Sequence, residues 1–193
     1  MKKVTMLAVI AVFGLMSCNS NADKKASEAT VETSVEEVTH ESNDAKYEIA
    51  ELAFTENSKG ILDAYFDVKE ALQEDDAVGA KEEATELLAA LGAFTTTDEA
   101  AIALIEKMKQ EVAGMASDDI KQQRAHFEPL SHQTKELLQV VGSDRVVYEQ
   151  YCPMYNDNTG GMWLSEEEAL LNPLFGDMML RCGATKLEMK PVK

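Results

Sequence analysis

The sequence predicts a mainly α fold, an antiparallel four-helix bundle with a small β-rich, turn-rich unit at its C-terminal end. Two observations lead to this prediction. Between residues 58 and 142, apolar side chains recur every three or four positions in four separate stripes, and polar or glycine-containing segments separate the stripes. From residue 143 onward this spacing is lost, and short β-prone runs alternate with clusters of Asn, Asp, Gly and Pro.

Each stripe is long enough for an amphipathic helix, and the short connections between them are typical of an antiparallel bundle. Thr97 or Asp98 is expected to cap the N-terminus of the third helix, and Asp118 that of the fourth. Gly142 is expected to end the fourth helix. The residues expected to face inward are Ile61, Tyr65, Val68, Leu72, Ala80, Ala84, Leu87, Leu88, Leu91, Ile102, Ile105, Met108, Val112, Met115, Ile120, Phe127, Leu130, Leu137 and Val141.

The C-terminal region, residues 143–193, is expected to form short strands that pack on one end of the bundle. A β-prone run at 146–152 and a second at 162–164 flank the turn-forming cluster 156–161, as in a β-hairpin. Residues 185–189 alternate between apolar and polar side chains, which predicts a final strand.

A short helix is expected between the second and the last of these strands. Ser165, followed three residues later by Glu168, has the pattern of a capping box, in which each side chain bonds a free backbone N–H at the start of a helix. Pro173 disfavours the helical conformation in the residue before it, so the helix must end before that point.

The first 17 residues have the layout of a secretory signal peptide. Two lysines precede an apolar run, residues 6–16, that is too short to span a bilayer. The segment closes on the tetrapeptide LMSC, which resembles a bacterial lipoprotein processing site and predicts cleavage after residue 17 and a lipid on Cys18. A soluble secreted protein cleaved nearby is the alternative. The first interpretation makes the protein a membrane-anchored lipoprotein of the periplasm.

Residues 18–57 are expected to form an acidic, disordered tether. Positions 19–57 contain ten Asp and Glu residues, three Lys and two aromatic residues. This composition offers too little apolar surface to offset the entropy lost on ordering. One globular domain is therefore expected over residues 58–193.

The chain is strongly acidic, with a formal net charge of −17. Removal of the signal peptide takes away two of the 18 basic residues and none of the 35 acidic ones, which leaves a net charge of −19. Such a surface repels phosphate groups, so nucleic acid is not expected as a partner. Cations are attracted, but charges on solvated helix faces do not by themselves form a site.

Sulfur is concentrated in one turn-rich segment, residues 151–183, which contains two of the three cysteines, four of the ten methionines and the only tryptophan. Thiolates and thioethers are the soft ligands that select Cu(I) or Ag(I) over harder cations. The segment has no CxxC pattern and no histidine, unlike a zinc finger. The candidate metal ligands are Cys152, Met154, Cys182 and the pair Met178 and Met179, either of which would share a helical face with Cys182.

A disulfide between Cys152 and Cys182 is the main alternative to a metal site. Once Cys18 carries a lipid, the other two cysteines are an even pair in an oxidising compartment. Their bridge would close a loop of about thirty residues, worth about 3.6 kcal/mol in the chain-entropy model. Two unpaired buried thiols are the third possibility. The first two both require the cysteines to meet, with Cα atoms within about 7 Å and Met154 on the same side.

Several short motifs together resemble those of one bacterial family. They are Cys-Pro-Met at 152–154, Trp-Leu-Ser at 163–165, Asn-Pro-x-Phe-Gly at 172–176, Met-Leu-x-Cys-Gly at 179–183, and Gln123-Arg124 followed by Phe127-x-Pro-Leu-Ser. Over residues 59–189 the chain resembles an uncharacterised periplasmic domain. That domain occurs as a stand-alone lipoprotein and at the C-terminal end of periplasmic adaptor subunits of copper/silver-type RND efflux pumps. The resemblance implies a place near metal efflux, as an accessory, and no particular reaction.

Two functions from different classes follow from the sequence. The first is a lipid-anchored periplasmic accessory protein of copper or silver handling or efflux, which binds a soft ion through its C-terminal sulfur atoms. The second is a non-catalytic interaction module, stapled by a disulfide, that docks on an envelope complex. An enzyme is not expected, because the sequence has no nucleophile elbow, no Gly-rich phosphate loop and no CxxC redox motif. The expected partners are the membrane, through the lipid, and efflux-pump or other envelope proteins.

Overall fold

The computed structural model describes residues 46–193, so the predicted signal peptide, Cys18 and most of the predicted tether lie outside the described residues. About half of the described chain is helical. Within this range, no helix combines the length and the apolar character that a membrane span needs. The elements are β1 (Glu48–Ala53), α1 (Lys59–Gln73), α2 (Ala77–Ala93), α3 (Glu99–Gly114), α4 (Ile120–Val141), β2 (Val147–Cys152), α5 (Tyr155–Asn158), β3 (Gly161–Ser165), a 3-10 helix (Gly176–Met178) and β4 (Ala184–Val192).

The four longer helices lie in the range that the sequence predicted, and their ends agree with the expected caps to within one residue. Asp98 caps α3 by accepting two hydrogen bonds from the backbone of the first turn. The cap of α4 is Asp119 rather than Asp118, since the Asp119 side chain accepts the backbone N–H of Lys121; the exposed Asp118 carboxylate pairs with Lys81 at 2.8 Å. Gly142 ends α4 with a φ of 89°, a conformation that favours glycine.

The inward stripes of the four helices form most of the hydrophobic core, with two exceptions. Leu88 and Ile102 are 40% and 46% exposed, although the sequence placed both inside. Each follows a buried residue, Leu87 or Ala101, and is therefore rotated about 100° away from it around the helix. Ile120 and Val141, at the two ends of α4, are half-buried.

The rings of Tyr65 in α1 and Phe127 in α4 stack with their centroids 5.0 Å apart. Both side chains are fully buried, so this contact lies in the centre of the core. Four amphipathic helices are therefore confirmed, whereas their arrangement as an antiparallel four-helix bundle stays a prediction.

The four strands form one mixed sheet in the spatial order β1, β4, β2, β3. β2 and β3 are antiparallel neighbours, as the predicted hairpin requires, and β2 is also antiparallel to β4. β4 extends the expected final strand at both ends. The region after α4 is therefore rich in strands, but its sheet also includes a strand that precedes α1.

β1 corrects the predicted boundary of the tether, since it lies inside residues 18–57 and belongs to the folded domain. It runs parallel to β4, with Glu48 opposite Leu187 and Ala53 opposite Val192. Leu52 is its only fully buried side chain. Its four apolar residues do not alternate with polar ones as in a half-buried strand, and the strand is held mainly by pairing with residues far along the chain, which explains why the acidic composition of the segment indicated disorder.

The helix predicted from the capping box of Ser165 and Glu168 is absent from the described residues, where positions 166–169 form bends. The Ser165 hydroxyl accepts a hydrogen bond from the N–H two residues later instead. The carbonyl groups of residues 167–169 all face the side-chain amide of the buried Gln150, at 3.2 to 3.4 Å. The side-chain oxygen of Gln150 in turn accepts the indole N–H of Trp163 at 2.9 Å. The segment therefore wraps around a buried amide instead of forming helical hydrogen bonds.

One buried hydroxyl joins the helices to the sheet. The Tyr65 oxygen lies 2.6 Å from the Ser131 oxygen of α4 and accepts the backbone N–H of Leu164 in β3 at 3.0 Å. Complete burial raises the pKa of Tyr65 well above its usual value, so the group stays protonated. This hydroxyl therefore links α1, α4 and β3 at one point.

We expect Tyr65→Phe to lower the free energy of unfolding by about 1–3 kcal/mol, because the buried Leu164 N–H and Ser131 hydroxyl lose a partner. Urea denaturation should show a lower midpoint with an unchanged m-value. Tyr148→Phe is the matched control, since its hydroxyl makes no hydrogen bond within residues 46–193. Equal stability of the two variants would contradict the linking role of Tyr65.

Candidate metal centre

The two cysteines of the sulfur-rich segment meet in the structure, with their Sγ atoms 2.6 Å apart. Cys152 is the last residue of β2 and is fully buried. Cys182 lies in the turn that precedes β4 and is half-buried. This contact is the proximity that both the disulfide and the metal hypotheses require.

The pairing of β2 with β4 brings the cysteines together. Tyr151 lies opposite Ala184, so Cys152 at the end of β2 lies beside Gly183, and Cys182 is the adjacent residue. Gly183 makes the turn into β4 with a φ of 137°, and a β-carbon there would lie 2.7 Å from the Tyr151 carbonyl oxygen. The Asn172 side-chain amide donates to the Cys182 carbonyl at 3.0 Å. The backbone at Cys182 is thus held between the end of β2 and the preceding loop.

The three candidate methionines line one open cleft of about 650 Å³. Met178 is 77% exposed, Met154 is 47% exposed, and Met179 is half-buried. The Cys182 N–H donates to the Met179 carbonyl at 2.8 Å. All five predicted ligand residues therefore lie in one region, with the methionines on the cleft walls and the cysteines beside it.

The chain from Met178 to Cys182 does not form the helical turn that the sequence predicted. Met178 ends the 3-10 helix, and the chain then passes through Met179 and a further turn to Cys182. Gly176 and Gly183 bracket this stretch with φ values of 57° and 137°. Met179 itself, with φ −145° and ψ 42°, is not helical, so neither methionine shares an α-helical face with the cysteine.

The Cys182 thiol holds its proton at neutral pH. The hydrogen bond with Cys152 and partial burial together raise the pKa of Cys182 to about 11. The Met154 N–H acts in the opposite direction, because it stabilises the thiolate, but its effect is smaller. An ion that binds to this sulfur must therefore displace a proton.

The other cleft walls are aromatic and polar. The rings of Tyr155 and Phe175 meet edge to face with centroids 5.9 Å apart. Residues 156–158 all have positive φ values, between 48° and 67°, so they form a tight left-handed turn. Lys121 and Arg124 reach the cleft from α4.

Harder ligands are not gathered elsewhere in the described part of the chain. No group of three or more His, Cys, Asp or Glu side chains within residues 46–193 could hold a metal ion. His126 and His132 each lie beside one glutamate, Glu111 at 2.9 Å and Glu128 at 3.0 Å. The sulfur cluster is thus the candidate site that both the sequence and the geometry single out.

Arg124 was missed as a site residue when the sequence was interpreted. Arg124 lies on the buried face of α4, four residues after Ile120 and three before Phe127. A charged side chain on an apolar stripe needs buried partners, so this position indicates that Arg124 bonds other elements of the fold. The structure supplies them: Arg124 donates to the carbonyl groups of Leu72 and Pro173 and to the Asp75 carboxylate.

We expect mild oxidation with oxidised glutathione to join Cys152 and Cys182, as two thiols lose two protons and two electrons to the oxidant. Trypsin separates the two residues by cutting at Arg145, Arg181 and Lys186. Mass spectrometry should therefore find the peptides 146–181 and 182–186 linked. The oxidised protein should be about 3.6 kcal/mol more stable than the reduced protein in the chain-entropy model.

Cys152→Ser is the control for this experiment, because it leaves Cys182 without its partner. Unlinked peptides from the oxidised wild-type protein, with both thiols open to alkylation, would contradict the observed contact.

Comparison with known proteins relates the helical part of the chain to a described family. Residues 61–145 match the model of a protein family of unknown function (DUF3347). No curated protein and no solved structure matches the chain. The match agrees with the resemblance to an uncharacterised domain family, and it ends before Cys152, so the sulfur-rich segment lies beyond the matched residues. The similarity to this family is therefore limited to residues 61–145, which contain the four longer helices from the first turn of α1 onward.

Proposed function

We propose that this protein binds one Cu(I) or Ag(I) ion through Cys152, Cys182 and methionines of the adjoining cleft. The observation that carries the proposal is the contact between the two cysteine sulfurs beside a cleft lined by three methionines. The proposed activity is binding, without a chemical reaction.

The donor set favours a soft ion of low charge. Thiolate and thioether sulfur bind Cu(I) in preference to hard cations such as Mg²⁺ and Ca²⁺, which take oxygen ligands. One of the two thiols is fully buried and the other half-buried, so a bound ion would be partly shielded from water. The large negative charge of the chain adds a general attraction for cations.

Binding requires the two sulfurs to separate. A metal–sulfur bond of about 2.3 Å, the length found for zinc, leaves no room for an ion between atoms that are 2.6 Å apart. Cys182 is the residue that we expect to move, because it is half-buried and lies in a turn, whereas Cys152 is fully buried in a strand. Rotation of the Cys182 side chain opens the pair and keeps the backbone hydrogen bonds in place.

In the cell, we propose that the protein is a lipid-anchored accessory of copper or silver handling or efflux in the periplasm. The support for this role is the signal-like N-terminus ending at Cys18 and the resemblance of residues 59–189 to a periplasmic domain found on efflux adaptors. Efflux-pump or other envelope proteins are the proposed partners.

A disulfide-stapled interaction module is the second candidate function, and the same sulfur contact favours it. In this case Cys152 and Cys182 serve to close the loop between them, and the partner is an envelope protein. Because the disulfide and the metal site use the same sulfurs, metal binding by the reduced protein separates the two candidates.

We expect the reduced protein, titrated anaerobically against a chromophoric Cu(I) chelator, to take up one equivalent of Cu(I). Cys152→Ser should abolish this binding. Replacing Met154, Met178 and Met179 together by leucine should weaken it about tenfold or more, a loss of about 1.4 kcal/mol or more. Leucine has nearly the volume of methionine, so the fold should be kept.

Met108→Leu is the matched control, because Met108 is a buried core methionine of α3, outside the cleft. Its Cu(I) affinity should equal that of the wild-type protein. Uptake of Cu(I) by the Cys152→Ser variant at wild-type affinity would rule out the proposed site.

We also expect the N-terminal peptide from the membrane fraction to begin at Cys18 and to carry acyl chains, which mass spectrometry detects directly. Cys18→Ala should release the protein from the membrane, because the lipid provides the anchor. A Cys18→Ala form that is processed normally and stays equally membrane-bound would count against the lipid anchor.

A further inference from the structure

The loop that carries Met178 and Met179 is attached to the helices by one buried guanidinium group. Arg124 is 8% exposed, and its Nε and Nη2 atoms donate to the Pro173 and Leu72 carbonyls, each at 2.7 Å. Nη2 also donates to the Asp75 carboxylate at 2.6 Å. Arg124 thus connects α4, the end of α1 and the start of the methionine loop.

Asp75 completes the attachment from the other side. One of its carboxylate oxygens accepts from Arg124, and the other accepts the backbone N–H of Asp177 at 3.0 Å. Asp75 adopts a left-handed conformation, with a φ of 59°, in the turn between α1 and α2. This conformation costs energy for a residue other than glycine, and here it accompanies a carboxylate that bridges two elements.

Gly176 lies against the ion pair of Asp75 and Arg124, where there is no room for a side chain. Its φ is 57°, and a β-carbon at this position would clash with Asp75 Oδ1 and Arg124 Nη2. The loop backbone can therefore approach the ion pair closely only because residue 176 has no side chain. The close approach places the backbone N–H of Asp177, the residue before the two methionines, against the ion pair.

The hydrogen bonds continue from this point to the cysteine. The Met179 N–H donates to the Gly176 carbonyl at 3.1 Å, and the Cys182 N–H donates to the Met179 carbonyl at 2.8 Å. A continuous series of contacts therefore runs from Arg124 through Asp75 and the 3-10 helix to the sulfur pair.

We infer that Arg124 and Asp75 are positioning residues of the metal site, which hold the thioethers of Met178 and Met179 at the cleft beside the cysteines. This inference rests on the proposed function. Arginine suits the role because its planar fork bonds three acceptors at once, which a lysine ammonium cannot do with the same geometry. Neither residue is expected to touch the ion.

Loss of the attachment should leave the cysteines in place and free the methionine loop. Outer partners of metal ligands typically contribute 10- to 100-fold in affinity, so we expect a loss of about this size in Cu(I) affinity, with one ion still bound. Amide hydrogen exchange in residues 174–182 should become at least about tenfold faster, because the other backbone hydrogen bonds of these residues are made within the loop itself.

The test uses three variants of the full chain that act on different parts of the attachment. Asp75→Asn keeps the shape and tolerates the left-handed conformation, but it replaces one acceptor oxygen by a donor. Gly176→Ala pushes the loop away from an intact ion pair. Arg124→Gln removes the guanidinium and carries the largest risk of unfolding, so the first two variants keep the test decisive.

Two variants serve as controls. Lys107→Gln removes a positive charge from an exposed position of α3, outside the cleft, and leaves the attachment intact. Gly92→Ala adds a β-carbon within α2, where it meets no atom within 4 Å. Both should retain wild-type loop exchange and wild-type Cu(I) affinity.

Each variant is measured by hydrogen-exchange mass spectrometry without metal and by Cu(I) titration of the reduced protein. Faster loop exchange together with weaker binding, in the three variants and not in the controls, supports the inference. Unchanged loop exchange in Asp75→Asn and Gly176→Ala, or faster exchange with unchanged affinity, would overturn it. If the wild-type protein itself binds no Cu(I), the proposed function fails, and the positioning role for a metal fails with it.

Discussion

The antiparallel register of β2 with β4 is the constraint on which the sulfur site depends. Cys152 is the last residue of β2, so a shift of one residue would turn its side chain to the opposite face of the sheet. Val147 lies opposite Met189, both fully buried, but a β-bulge between Glu149 and Gln150 shifts the register by one residue before the site is reached. The geometry of the sulfur pair therefore depends on this bulge together with the turn at Gly183.

The loop between β3 and β4 carries three of the five candidate ligands, yet its only regular structure is the 3-10 helix. Buried backbone groups need hydrogen-bond partners wherever they lie, and side chains of other elements supply many of them here. Gln150 of β2 bonds the carbonyl groups of residues 167–169, and Arg124 of α4 bonds the Pro173 carbonyl. The Asp75 carboxylate accepts the backbone N–H of Asp177 in the second half of the loop. The loop is thus ordered by the helices and the sheet together.

The features that the sequence predicted depend on interactions between residues close together in the chain. The features that it missed depend on residues far apart. The helix stripes and the β2–β3 hairpin depend on neighbours within one element or one turn, so periodicity and turn residues were sufficient. β1 pairs with residues about 140 positions away, and its acidic composition gave no local signal for that pairing. The capping box of Ser165 and Glu168 is a real local preference, but a buried glutamine overrides it. The candidate ligands were identifiable by chemical type, whereas their attachment through Arg124 required knowledge of the fold.

The proposed disulfide and the proposed metal site would use the same two sulfurs, so they exclude each other in one molecule. Oxidation removes both thiols and transfers two electrons to an oxidant. Metal binding releases protons instead, because Cys182, with its pKa raised to about 11, is a thiol at neutral pH. The fold brings the sulfurs together in either case. The reduction potential of the compartment and the supply of a thiophilic ion would decide between the disulfide and the metal-bound form. The thioethers carry no proton, so Met154, Met178 and Met179 can act as soft donors at any pH.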